Sequence, residues 1–227
     1  HWFFAQLLTQ PLHWNQSIVL TVKQALDDEV LARSLQQLIS HHDALRATFS
    51  LFNHQNWTQT YLEPEASISF EVVRQNSEDV ASLITTKASL TQSSLSLHKG
   101  PLLKVVYFDL ITASGIERRL LIVCHHLVID GVSWRILLSD LQLIYQQLSS
   151  SPEQKAAQLP PKTLSCQHWI NHLSAADFTE ELPYWKKVAS AQIEPIHQDF
   201  TGDNNILGIA RTISVSLTPS ETLQLIQ

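Results

Sequence analysis

Residues 124–141 read CHHLVIDGVSWRILLSDL, and within them a run of apolar, strand-like character gives way to a helical pattern. The preceding RRLLIVC predicts a buried strand that ends at Cys124, and the apolar spacing from Val132 onward predicts a helix. Between them lies a loop carrying His125, His126, Asp130 and Gly131, followed by Ser133 and Trp134. Strand ends that open onto helix starts are where clefts form in α/β proteins. Adjacent side chains on extended backbone point in opposite directions. Only one histidine can therefore face a given cleft, and the other must find its hydrogen bonds in the packing behind. Asp130 is placed to cap the helix.

Three readings of the histidine pair compete on the residues alone. Both rings can be hydrogen-bonded core groups. One histidine and Asp130 can be metal ligands, but no spacing supplies a third, and the zinc patterns are absent. Or one histidine is a general base, which an unperturbed pKa near 6.5 suits without much tuning. Gly131 then leaves room for a substrate to approach the backbone.

Working outward, LLKVVYFDLI at 102–111 is a second strong strand, joined to RRLLIVC by the turn-like TASGIE. IVLTV at 18–22 reads as a strand and 27–39 as a helix. Residues 57–62 and 68–73 read as a strand pair, and 78–90 as an amphipathic helix with Val80, Leu83, Ile84 and Leu90 on its apolar side. The helix after the loop uses Ile136, Leu137, Leu141, Ile144, Tyr145 and Leu148. SSSPEQKAAQLPP at 149–161 is a surface connection and the expected lobe boundary, dividing 1–160 from 161–227. Beyond it SCQHWINHL and ELPYWKKV predict short helices, ARTISVSL a strand, and Thr218 or Ser220 the cap of a final helix. The alternation predicts an α/β sandwich.

A second pair, His41 and His42 in ISHHDALRATF, reads as structural, with Leu38, Ile39, Leu45 and Phe49 supplying the core side. Arg46 in the same stretch needs a partner if it is partly buried, and Asp130 is the expected one.

The 227 residues are 44% apolar and 16% charged, a globular composition. A net charge of -6 offers no basic face for nucleic acid. LLIVC and WRILL fall far short of the roughly 20 residues of a spanning helix. The expectation is a soluble, cytoplasmic protein with no nucleic-acid or membrane partner. Cys124 and Cys166 lack a CxxC spacing and predict neither a zinc site nor a disulfide framework. The chain opens on HWFF and closes on LQLIQ, which predicts a piece of something longer.

HHLVIDGVS matches the HHxxxDGxS signature of the condensation-domain superfamily of nonribosomal peptide synthetases. SHHDALRATF resembles a second motif of that superfamily, and HWFF the tail of the first. Within it, DGVSWRILLSDL, HWNQS and LPYW resemble the epimerization branch, with Ser139 in place of that branch's usual glutamate and Ala5 where an acidic residue is common. The resemblance implies a chloramphenicol-acetyltransferase-like α/β sandwich lobe, a mixed sheet with flanking helices. It implies an aminoacyl or peptidyl thioester substrate on the phosphopantetheine arm of a peptidyl carrier protein, normally in the same polypeptide, converted from L to D at Cα. No metal or directly bound cofactor is implied, since the arm belongs to the carrier.

By the same resemblance His126 is the catalytic base, His125 orients the site from behind, and Asp130 is structural and paired with Arg46, beside Gly131. Ser133 and Trp134, with the first amides of the helix, hold polar parts of the substrate. The family's second acid/base group, a glutamate, comes from the second lobe, of which residues 161–227 are expected to be the connection and the beginning, the rest lying outside this chain. The rival readings are a condensation domain joining two carrier-bound substrates, a non-catalytic docking lobe, and an acyltransferase using a small thioester.

Overall fold

The computed structural model describes residues 2–6, 8, 10–52, 56–151, 153–162, 164–195, 197 and 210–226. His1 of HWFF, Pro152 of the expected connection and Gln227 of LQLIQ lie outside them. The chain divides into two compact units, 1–176 and 177–227.

The first unit opens on a short helix, α1 (Trp2–Ala5), and is built on a four-stranded mixed sheet. The sheet comprises β1 (Asn15–Thr21), β4 (Ser69–Asn76), β5 (Leu103–Thr112) and β6 (Gly115–His125), in the order β1-β6-β5-β4. β1 and β5 flank β6 antiparallel, while β4 runs parallel to β5. On one face lie α2 (Asp28–His41) and α4 (Ser133–Ser150), and on the other α3 (Val80–Ser93). Along β5, Leu103, Val105 and Tyr107 join the α2/α4 core, while Val106, Phe108 and Leu110 join the α3 core. β6 alternates likewise, Leu120, Ile122 and Cys124 against Leu121 and Val123. Burial on both faces is why these strands read as continuous apolar runs.

The helices start where local chemistry tells them to. The Asp27 carboxylate accepts from the Val30 amide at 2.9 Å and caps α2. The Leu26 and Asp27 amides donate to the hydroxyls of Tyr107 and Tyr145, which ties that start to the sheet and to α4. Asp79 caps α3 in the same way through Ser82.

Two expectations about pairing and packing are corrected here. Residues 57–62 and 68–73 do form strands, but not with each other. β3 (Asn56–Tyr61) pairs antiparallel with β2 (Ala47–Phe52) in a separate two-stranded sheet, and β4 lies on β5. Alternation marks a strand without naming its neighbour. Leu90 and Ile136, expected on apolar helix faces, are 60% and 54% exposed. On α3 the buried position at that end is Thr91, about three turns after Val80 and so on its side of the helix.

Within the first unit, α5 (Cys166–Ala175) follows the connection, and its first amides donate to Asp43, that of Gln167 at 3.0 Å. The second unit holds α6 (Leu182–Ser190) and α7 (Pro219–Ile226). Thr218 caps α7 in a reciprocal arrangement: the Glu221 carboxylate accepts from the Thr218 amide at 2.7 Å, and the Thr218 hydroxyl accepts from the Glu221 amide at 3.3 Å. The expected strand over 210–217 is not formed. Those described residues belong to no strand or helix, and Ile213 and Val215 are 88% and 87% exposed. Strand propensity alone does not hold an unpaired segment in a sheet. Among the described residues no helix is long and apolar enough to cross a membrane.

Candidate active site

The loop after β6 separates the two histidines as extended geometry requires. His125, the last residue of β6, is fully buried, and His126 is exposed. His125 Nε2 lies 2.9 Å from the Pro11 carbonyl, and its Nδ1 accepts from the Leu127 amide. A carbonyl only accepts, so the proton is on Nε2. The Phe3 ring meets the His125 imidazole edge-on at 5.7 Å, which places that phenylalanine behind the site. Burial pushes the His125 pKa down, against a smaller opposing effect of the Pro11 carbonyl.

His126 is held from the other side. Its amide donates to the Trp14 carbonyl at 2.9 Å, and its Nδ1 sits 2.9 Å from the Ile129 carbonyl. By the same logic Nδ1 carries the proton, and in the neutral ring Nε2 is the basic nitrogen. That nitrogen lies 3.1 Å from the carboxamide nitrogen of Gln16 on β1. The Gln16 oxygen in turn accepts from the Trp134 indole at 2.7 Å. Sequence reasoning misses Gln16 as a site residue, because HWNQS serves there only as a family likeness. The signal that finds it is register: Gln16 pairs with Cys124, next to the histidines.

Asp130 Oδ1 accepts from the Val132 amide at 3.0 Å, the Ser133 amide at 2.7 Å and the Ser133 hydroxyl at 2.6 Å. It closes the start of α4, as the sequence indicates. The Ser133 hydroxyl and then the backbone amides hold its pKa below the usual carboxylate range.

The expected Arg46–Asp130 pair is corrected by this geometry. Arg46 donates to three carbonyls instead: Leu62 from Nε at 3.0 Å, and Ile39 and Ser40 from Nη1 at 2.7 and 2.8 Å. Carbonyls at the end of α2 lack intrahelical partners and carry the negative end of the helix dipole, so they satisfy a guanidinium as a carboxylate would.

The expectation for Ser133 and Trp134 is corrected in part. Each side chain has one polar hydrogen, and these go to Asp130 and Gln16. Neither is available to donate to a substrate in this arrangement. A Cβ at Gly131 would meet no atom within 4 Å, so the loop backbone there borders open space.

The second histidine pair joins helices. His42 Nε2 lies 2.8 Å from Asp140 on α4, and the His41 ring stands edge-on to His42 at 4.8 Å. The ligating atoms of His41, His42 and Asp140 fall within 4.8 Å of one another, the one group of three potential metal ligands among the described residues. Neither His125 nor His126 belongs to it.

The fold, the loop and its paired histidines define a family, and residues 1–224 match it: the chain belongs to the condensation-domain family. It is 41% identical over its full length to one of the linear gramicidin synthase proteins of Brevibacillus parabrevis, and 37% identical over 99% of its length to surfactin synthase subunit 2 of Bacillus subtilis (strain 168). It spans only 3% and 6% of those proteins. Among solved structures it is similar to the epimerization domain from the third module of tyrocidine synthetase B. The TM-score is 0.82 and the identity 32%, over all of this chain and 51% of that one. The starter condensation domain of rhizomide synthetase shares the fold at a TM-score of 0.67 and 16% identity, over 86% of this chain and 46% of that one. The mixed sheet with flanking helices is thus that of the chloramphenicol-acetyltransferase-like fold.

Proposed function

We propose that the chain is part of an epimerization domain that inverts Cα of an aminoacyl or peptidyl thioester during nonribosomal peptide synthesis. The observation that carries this reading is the exposed His126 imidazole, with Nδ1 bound to the Ile129 carbonyl and Nε2 left as the base. Similarity along the whole chain to a solved epimerization domain supports it over condensation. The substrate arrives on the phosphopantetheine arm of a carrier protein of the same polypeptide.

His126 Nε2 takes the Cα proton, and the electron pair of the broken C–H bond moves into the thioester carbonyl to give an enolate. A second acid on the opposite face, the glutamate that the resemblance implies, gives its proton to Cα as the enolate's electron pair re-forms the C–H bond with inverted configuration, and His126 passes the proton it took to solvent. Asp130, the loop's carboxylate, is committed to the amides of α4 and is not the second acid. His125, buried and bonded at both nitrogens, acts by holding the loop.

The test uses a synthetase that contains this chain, with its carrier loaded, in deuterated water. Deuterium should enter at Cα in the parent, and His126→Ala should slow this by about 10²- to 10⁴-fold. A folded, loaded parent that shows no exchange would overturn the reading. Peptide bond formation on adding a second loaded carrier would then identify condensation.

A further inference from the structure

We infer that Gln16 is the positioning residue of the His126 base, and that Trp134 dictates which end of the Gln16 carboxamide faces it. The inference rests on the epimerization reading for its kinetic consequence, though not for its geometry.

The geometry has one consistent assignment. An indole N–H only donates, so the carboxamide atom 2.7 Å from Trp134 Nε1 is the oxygen. The amino end of Gln16 therefore faces His126, and it can only donate. The Ile129 carbonyl only accepts, so His126 presents it with Nδ1–H and keeps a lone pair at Nε2. The four groups form one directed series, Trp134 to Gln16 to His126 to Ile129. Reversing either of its inner members would set donor against donor or acceptor against acceptor.

The series also ties together three elements: Gln16 lies on β1, His126 just after β6 and Trp134 in the first turn of α4. The separations along the chain are 110 positions for Gln16–His126 and 118 for Gln16–Trp134. An imidazole nitrogen has a single in-plane lone pair, and here the Gln16 N–H occupies it. A substrate Cα–H reaches that lone pair only by displacing the carboxamide. The Ile129 carbonyl thus sets the tautomer, and Gln16 holds the remaining lone pair in place and covers the base until a substrate displaces it.

Three variants test this: Gln16→Glu, Gln16→Leu and Trp134→Phe. Glutamate keeps the shape but turns the donor into an acceptor, leucine removes the polar group, and phenylalanine frees the carboxamide to turn. The first measurement is the ¹⁵N spectrum of the His126 ring in the chain without substrate. The parent should show protonated Nδ1 and a hydrogen-bonded, unprotonated Nε2. Gln16→Glu should add a proton at Nε2 while Nδ1–H stays on the Ile129 carbonyl, Gln16→Leu should keep Nδ1–H but lose the bond at Nε2, and Trp134→Phe should keep Nδ1–H with the bond at Nε2 made in only part of the molecules.

The second measurement is Cα exchange in the intact synthetase. Gln16→Glu should lower kcat about 100-fold, as loss of the base does. Gln16→Leu should lower kcat about tenfold and KM with it, because the substrate no longer has to displace a bound group.

Protonated Nε2 in the parent, or a ring spectrum unchanged in folded Gln16→Glu and Trp134→Phe, would overturn the inference even if His126→Ala abolishes exchange. These changes at Nε2 without exchange in a loaded parent would uphold the positioning role and overturn the epimerization reading instead.

Discussion

The guanidinium of Arg46 donates to the carbonyl of Ile39 at 2.7 Å, beside a second bond to Ser40, and so closes the C-terminal end of α2. Arg46→Ala leaves these carbonyls and that of Leu62 without a charged donor. The expected loss is about 2–3 kcal/mol of stability, read as a lower denaturant midpoint. Arg46→Lys should not restore it, since an ammonium cannot reproduce the forked geometry. In a double-mutant cycle with Asp130→Ala the two losses should add to within about 0.5 kcal/mol. A larger coupling would mean that the two side chains do interact.

Asp130 matters for stability chiefly through the first turn of α4. Asp130→Ala should cost about 1 kcal/mol, the usual value of a helix cap. Because hydrogen bonds lower its folded pKa, its contribution is complete above the unfolded carboxylate value. It is lost as the pH falls through the folded one. The acid limb of the unfolding profile below about pH 4 should therefore flatten in the variant.

His125 contributes in a different window. Its folded pKa lies below the ordinary histidine value, so the unfolded chain binds the proton more readily. Its share of stability is whole above about pH 6.5 and declines as the pH drops toward the folded value. Urea midpoints should fall between pH 7.5 and 5.5 in the parent, and less steeply in His125→Phe. That variant should also lose about 2 kcal/mol, because the Pro11 carbonyl and the Leu127 amide lose their partners.

Gly131 separates access from folding. A Cβ there meets open space, and Gly131→Ala should change stability by no more than about 0.5 kcal/mol. If the thioester passes over this backbone, exchange at Cα should nonetheless fall, with KM rising. An unchanged KM would place the substrate's path elsewhere.

The parts of the fold that can be read from sequence are those whose cause is local. β5 and β6 announce themselves because both faces of each are buried, α2 and α3 because apolar residues recur there at helical spacing, and α7 because Thr218 caps it. The loop histidines divide as alternation requires. What cannot be read is partnership across distance. β3 and β4 alternate equally well beside any neighbour, and Arg46 invites a carboxylate partner because backbone carbonyls carry no letter. Gln16 and its bond to Trp134 escape notice for the same reason: a carboxamide has no signature spacing, and its role exists only once β1 lies on β6.

That last pairing bears on how the molecule is made. β1 must wait, as the chain is synthesised, until residues more than a hundred positions later are available to pair with it. Contacts so far apart in sequence form after local ones, since the intervening loop must first be closed. The poised base therefore comes into being in the same docking event that seats the N-terminal strand. A molecule with α2, α4 and the β5–β6 hairpin in place but β1 still adrift would hold most of its core and have no Gln16 beside His126.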